Sequence, residues 1–86
     1  MAVTLTEALG AEIRAEAAAQ RITIAELAKR ADVNRSSLYT WIDAKTAFPV
    51  QGLEAVANVL RVRASELVAR AEHRSRTHRS VTPAGQ

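Results

Sequence analysis

The segment from residue 24 to 43 most constrains the fold, because small and apolar residues fall where two short helices joined by a tight turn require them. Ala28 supplies a small side chain where the helices approach each other, and Val33 follows the turn. Leu38 and Trp41 then place apolar bulk on one face of the second helix. We therefore expect function to lie on the opposite, outward face of that helix.

Signals for helix starts appear at three places. Thr4 with Glu7, and Thr23 with Glu26, have the spacing of capping boxes, in which the two residues satisfy each other's free backbone N–H groups. Asn34 is a favoured N-cap and predicts the start of a third helix. These signals predict helices that begin near residues 5, 24 and 35.

The remaining boundaries follow from turn residues. Asp32 tolerates the left-handed conformation that an abrupt helix end requires. Residues 45–48 are predicted to form a loop, and Pro49 suits the first turn of a fourth helix. A short fifth helix is predicted around residues 64–68. Gly10 lies inside the first helix at a cost of roughly 1 kcal/mol relative to alanine, which indicates either a close contact or mere tolerance there.

The chain has 86 residues, no cysteine and a formal net charge of +3. This length predicts at most one domain. The lack of cysteine excludes a disulfide framework and fits a reducing compartment. The N-terminus has no signal-peptide pattern, and no apolar run is long enough to cross a membrane. We therefore expect a soluble, cytoplasmic protein with no membrane partner.

The apolar periodicity ends at residue 73, and the segment from there to residue 86 is polar and basic. We predict a folded domain over residues 1–72 and a disordered basic tail over residues 73–86. The tail contains Arg74, Arg76 and Arg79 and no acidic residue, so the first 72 residues are formally neutral. Affinity for polyanions must then come from local patches or from the tail.

Catalytic and metal sites are not indicated. The chain has no glycine-rich phosphate loop, no cysteine nucleophile and no histidine in the predicted folded part. His73 and His78 lie five residues apart in the predicted tail without a third ligand, which is a poor metal site. The carboxylates of Glu12 and Glu16 share a face that is most simply solvated. We expect no enzyme, no cofactor and no bound metal.

Apolar and small residues recur at a characteristic spacing across the predicted helices. They are Ile22 and Thr23 before helix two, Leu27 and Ala28 within it, Val33, Leu38 and Trp41 around helix three, and Val56, Ala57, Leu60 and Val62 afterwards. With these residues the chain resembles, over roughly residues 3 to 70, the Cro and C1 repressor type of helix-turn-helix domain, the XRE-like family. The resemblance implies an all-α, five-helix Cro/C1 (lambda-repressor-like) helix-turn-helix domain followed by the disordered basic C-terminal tail.

The chain departs from the family pattern at three positions. The family often has Gln at the position of Ile24, Gly at Asp32, and Glu at Ile42. That Glu commonly pairs with an Arg, and the matching position here is Ala17, so both partners are replaced together. Apolar groups of compatible shape can replace a buried ion pair without loss of stability. We therefore expect Ile42 to pack against Ala17.

The resemblance implies a sequence-specific DNA-binding transcriptional regulator that binds double-stranded DNA as a homodimer, with helix three in the major groove of an inverted-repeat operator. Arg35 can donate two parallel hydrogen bonds to guanine. The implied base-contact residues are Arg35, Ser36, Tyr39 and Thr40. The implied phosphate contacts are Thr23, Ser37, Lys45, Thr46 and Arg21.

Several assignments stay open at this level. The tail arginines Arg74, Arg76 and Arg79 can add DNA contacts, form an RNA-binding segment or simply keep the chain soluble. The apolar residues Val62, Leu67 and Val68 fit either a dimer surface or the core. The alternative function is a protein-interaction module on the same fold, such as an antitoxin that autoregulates and whose tail folds on a toxin.

Overall fold

The computed structural model describes the backbone of residues 4 to 80 and the side chains of residues 4 to 76. This part contains five helices and no strand, which confirms the predicted all-α architecture. The helices are α1 (Leu5–Ala19), α2 (Ile24–Ala31), α3 (Arg35–Ile42), α4 (Val50–Leu60) and α5 (Ala64–Ser80).

The predicted N-caps are present. The Thr4 hydroxyl accepts a hydrogen bond from the Glu7 N–H at 3.1 Å, and the Glu7 carboxylate accepts one from the Thr4 N–H at 2.9 Å, which completes a capping box. Asn34 caps α3 by accepting from a backbone N–H at 3.2 Å. At α2 the Thr23 hydroxyl accepts from the Glu26 N–H at 3.0 Å. The Glu26 carboxylate accepts instead from an arginine one turn further along α2, so only half of the second predicted box forms.

Helices α1 to α4 all end at a left-handed residue that is not glycine: Arg21, Asp32, Ala44 and Arg61, with φ between 57° and 61°. The residue after each one donates its N–H back to the last turn of the helix, as Val33 does to the Ala28 carbonyl at 2.9 Å. The prediction for Asp32 is thus confirmed. The four abrupt ends let four helices pack around one small core.

The core is aliphatic. Leu27 and Leu38 are fully buried, and Ile42 and Ala17, the positions of the family's Glu and Arg, are both buried in the same apolar cluster. The largest fully buried side chains are Ile13, Leu27, Leu38, Leu60, Leu67 and Val56. Because this core holds the inner face of α3, the opposite face of α3 is left outward.

Gly10 is required by a close helix contact. A β-carbon at Gly10 would lie 3.1 Å from the Ile42 Cα and would overlap the Ile42 carbonyl oxygen. These are backbone atoms at the end of α3, so they cannot move aside as a flexible side chain would. Close contact, and not tolerance, therefore explains this glycine, and it fixes the position of α3 on α1.

Helix α5 is longer than the sequence analysis predicted. Leu67, Ala71 and Ser75 recur every four residues and are buried, so the helix continues past residue 72 along α1 and is described as far as Ser80. Ala71 and Ser75 are too small to stand out in a search for large apolar residues, although their spacing is helical. The folded part therefore extends beyond the predicted boundary at residue 72, and residues 81–86 lie outside the described part of the chain.

Ion pairs fasten α5 to α1. Arg70 donates to the Glu16 carboxylate at 2.9 Å and to Glu66 at 2.7 Å, and Arg74 donates to Glu12 at 2.7 Å. The side chains of Glu12 and Glu16 are only 14% and 21% exposed. The face predicted to be solvated is therefore covered by α5, because the small residues of α5 bring its arginines within reach.

Acid should weaken this attachment. Hydrogen bonds from Gln20 and from Arg70 hold the pKa of the Glu16 carboxyl below its ordinary value of 4.5. A carboxyl whose pKa is lowered by folding stabilises the folded state above its ordinary pKa, and this contribution is lost as the pH falls through the folded value. We expect Glu16→Gln to lower the free energy of unfolding at pH 7 and to have progressively less effect below pH 4.5.

Urea unfolding of both proteins between pH 7 and pH 3 measures this difference. Glu54→Gln, which removes an exposed carboxylate on α4, is the matched control. A Glu16→Gln difference that stays constant across this range would contradict the prediction.

Within residues 4 to 80, no helix has the length and apolar character needed to cross a membrane. The described side chains also contain no group of three or more His, Asp or Glu that could hold a metal ion.

Candidate nucleic-acid interface

The outward face of α3 carries the residues predicted to contact bases. Leu38 and Ile42 are buried, whereas Arg35, Ser36 and Tyr39 are exposed and lie next to one another around the helix axis. No other part of residues 4 to 76 buries these three side chains. The structure therefore brings the predicted base-contact residues together on one accessible helix face.

Thr40 is half-buried at the edge of this face. Its hydroxyl donates to the Ser36 carbonyl one turn earlier, at 2.9 Å. The hydroxyl hydrogen is thus committed to the backbone. Thr40 keeps its oxygen lone pairs and its methyl group for an outside partner.

Arg35 lies beside further cations that the sequence analysis did not single out. A groove of about 740 Å³ between α2 and α3 is lined by Ala25, Glu26, Lys29, Arg30 and Arg35. Glu26 forms its ion pair with Arg30. Arg35 and Lys29 pair with no carboxylate among residues 4 to 76, so the groove keeps a positive side. The basic last turn of α2 was the available sequence signal for this patch.

The N-terminus of α2 carries the first group of predicted phosphate contacts. Thr23 and Arg21 are exposed next to one another along the turn from α1. Thr23 accepts from the Glu26 N–H, and the N–H groups of Ile24 and Ala25 have no hydrogen-bond partner within the described part of the chain. Free N–H groups at a helix N-terminus favour anions.

The second group of predicted phosphate contacts surrounds α3. Lys45 and Thr46 are exposed in the loop after α3, and Ser37 is half-buried in its first turn. Ser37 lies within α3 itself, and Lys45 and Thr46 follow its C-terminal end. The site therefore combines a polar helix face with donors on its margins.

Ion pairing makes the charge distribution uneven, although the fold is formally close to neutral. Three cations on α1 and α5 are held by carboxylates, with Arg14 on Asp43 at 3.2 Å and Arg70 and Arg74 on α1 glutamates. By contrast, Arg35, Lys45, Arg21 and Lys29 pair with no acid among residues 4 to 76. Unpaired positive charge therefore lies around α2 and α3, and also at Arg61 and Arg63 between α4 and α5.

The predicted tail contacts are placed differently. Arg74 is not on a flexible segment, because it belongs to α5 and is held by Glu12. Arg76 is exposed on α5, and the side chain of Arg79 lies outside the described residues. The prediction that these arginines belong to a free arm therefore fails for Arg74.

Two apolar assignments are settled by burial. Trp41 packs against the core and lies 5.3 Å, centroid to centroid, from the ring of Phe48, as expected for a core residue. Leu67 is fully buried and belongs to the core, whereas Val62 and Val68 are half-buried. Leu67 is thus excluded as a dimer contact.

Comparison with known proteins agrees with this geometry. A family model described as a Cro/C1-type HTH DNA-binding domain matches residues 12–71. A crystal structure of the clp gene regulator ClgR from Corynebacterium glutamicum has a TM-score of 0.84 at 22% sequence identity, covering 93% of this chain and 85% of that one. A second ClgR structure has a TM-score of 0.75 at 25% identity, covering 83% and 92%. No curated protein sequence matches the chain.

Proposed function

Because the chain belongs to the Cro/C1-type helix-turn-helix DNA-binding family, we propose that it is a transcription regulator that binds an inverted-repeat operator as a homodimer. In this proposal α3 of each copy lies in the major groove of one half-site. The supporting observation is the outward face of α3, where Arg35 is exposed and without an acidic partner among residues 4 to 76.

The residues of α3 take different roles in reading bases. Arg35 donates two parallel hydrogen bonds to O6 and N7 of a guanine. Ser36 donates to or accepts from a base edge, and Thr40 offers its methyl group to a thymine, since its hydroxyl hydrogen is bonded to the backbone. Tyr39 lays its exposed ring along the groove.

The margins of the site hold the duplex in register. Thr23 and the free N–H groups of the first turn of α2 bind one phosphate, assisted by Arg21. Ser37, Lys45 and Thr46 bind phosphates on the other side of the groove. These contacts set orientation and affinity but do not distinguish base pairs.

Selection from random duplexes by the purified full chain tests the proposal. We expect enrichment of an inverted repeat whose half-sites are centred about 10 base pairs apart, one turn of DNA. A single unrepeated half-site would contradict the homodimer. No enrichment, together with a protein that copurifies tightly, would contradict operator reading and favour an interaction module of the antitoxin kind.

A further inference from the structure

A second basic surface lies at the ends of α1 and α4. A cleft of about 550 Å³, which we call the arginine cleft, is lined among others by Gln20, Arg21, Glu26, Arg30, Asn58 and Arg61. The cleft lies between the turn that leads into α2 and the turn that leaves α4. It does not include the outward face of α3, but it shares Glu26 and Arg30 with the groove beside Arg35, and Arg21 with the margin of that site.

A side-chain bond from α1 to α4 holds the two turns together. The Gln20 amide donates to the Leu60 carbonyl at 2.7 Å and to the Glu16 carboxylate at 2.9 Å. This places Arg61, the residue after Leu60, on the same cleft as Arg21, the residue after Gln20. Arginines forty residues apart in the sequence therefore line one concave surface.

The arginine cleft carries an excess of positive charge. Its lining contains three guanidinium groups and a single carboxylate, Glu26, which is bonded to Arg30. Arg21 and Arg61 are exposed and pair with no carboxylate among residues 4 to 76. Two guanidinium groups with free donors, together with the exposed amide of Asn58, provide the donor set that a phosphate group requires.

Neither Arg21 nor Arg61 is required for the backbone conformation at its position. Both have φ of 60°, the left-handed conformation at a helix end that glycine adopts at lower cost. Replacement by glycine therefore removes the side chain without straining the turn. This provides a variant in which loss of binding cannot be attributed to loss of folding.

We propose that the arginine cleft binds a phosphate of the DNA backbone outside the base pairs that α3 reads, with Arg61 and Arg21 as its donors. The DNA backbone is favoured because Arg21 lies two residues before Thr23, where α2 presents its free N–H groups. A strand bound at that N-terminus continues past Arg21 to Arg61. The inference rests on the proposed function. It means that each copy of the protein covers DNA further outward than the base pairs that α3 contacts.

The test compares Arg61→Gly with the unchanged chain on two duplexes that share the selected operator. The long duplex continues for one turn beyond each half-site, and the short duplex ends at the half-site. On the long duplex, the logarithm of the DNA-binding constant should fall less steeply with the logarithm of the salt concentration for Arg61→Gly than for the unchanged chain. This salt slope should be smaller by about 0.9 for each cleft. When the salt is raised from 50 to 200 mM, the variant should therefore lose roughly 3.5-fold less affinity for each phosphate contact removed. On the short duplex the two proteins should bind alike.

Arg63→Ala is the matched control, because Arg63 is exposed, unpaired among residues 4 to 76, and lines a neighbouring cleft at the start of α5 that shares only Asn58 with the arginine cleft. It should leave the slope unchanged on both duplexes. Thermal unfolding should show that Arg61→Gly is at least as stable as the unchanged chain.

Three outcomes would overturn the inference: an unchanged slope in Arg61→Gly, an equal change in Arg63→Ala, or an equal effect on both duplexes. If inorganic phosphate bound to the unchanged chain but not to Arg61→Gly, and if duplex length made no difference to the effect of Arg61→Gly on DNA binding, the cleft would be assigned to a free anion instead. Each of these results leaves base preference at the operator intact. Failure of the proposed function would instead abolish that preference.

Discussion

Gly10→Ala should destabilise the protein, even though alanine is the better helix former. The new β-carbon would overlap the carbonyl oxygen of Ile42 and lie 3.0 Å from the Ile42 carbonyl carbon. Relief requires α1 and α3 to separate, since the three atoms nearest to the methyl group all belong to the backbone of Ile42. Overpacking of this kind costs about 3 kcal/mol at its upper range, against roughly 1 kcal/mol gained from helix propensity. We expect a net loss of about 2 kcal/mol in the free energy of unfolding.

Urea unfolding at pH 7 measures this effect, and Ala15→Gly is its control. Ala15 is exposed on the same helix, so its replacement changes propensity without changing a helix contact. The control should lose roughly 1 kcal/mol. If Gly10→Ala gained stability instead, propensity alone would govern this position and the close approach of α1 and α3 would be refuted.

The parts of the fold that the sequence predicted are those that depend on neighbouring residues. The Thr4–Glu7 box, the Asn34 cap and the left-handed Asp32 all involve groups within five positions of each other. The family resemblance adds helix order and the inward face of α3. Local chemistry and a known spacing are therefore sufficient for the helix boundaries from α1 to α4.

The extent of α5 was missed because it depends on a distant partner. Residues after 72 contain few large apolar groups, so an isolated reading predicts disorder. Ala71 and Ser75 are nonetheless buried against α1, and Arg74 reaches Glu12. Basic side chains of α5 pair with carboxylates of α1, as Arg74 does with Glu12. The sequence could not predict this role of the carboxylates, because it arises only when α5 packs on α1.

The candidate site also has one part that the sequence predicts and another part that arises only when the helices pack. Exposure of Arg35 follows from its place in the first turn of α3, and it could be predicted. The grouping of Arg35 with Lys29, and of Arg21 with Arg61, arises only when helices pack. A formally neutral domain can therefore present a positive surface, because folding pairs some cations with acids and leaves others free.

Arg35→Ala should remove discrimination at one base pair of each half-site. A bidentate arginine–guanine contact contributes about 1 to 3 kcal/mol of preference against the wrong base. Because Arg35 makes no ion pair with residues 4 to 76, its loss should not weaken the fold. Titration of duplexes that carry each of the four base pairs at every operator position should show a flattened preference at one position per half-site, with the other positions unchanged.

Lys45→Ala distinguishes base discrimination by Arg35 from general electrostatic attraction between the protein and DNA. Lys45 is exposed in the loop after α3 and also carries one positive charge, but it is assigned to a phosphate. Its removal should weaken all duplexes alike and lower the salt slope by about 0.9 per subunit, without altering base preference. Sequence-independent losses of equal size in both variants would mean that Arg35 also binds the backbone. The reading of bases would then have to be reassigned to the other exposed residues of α3.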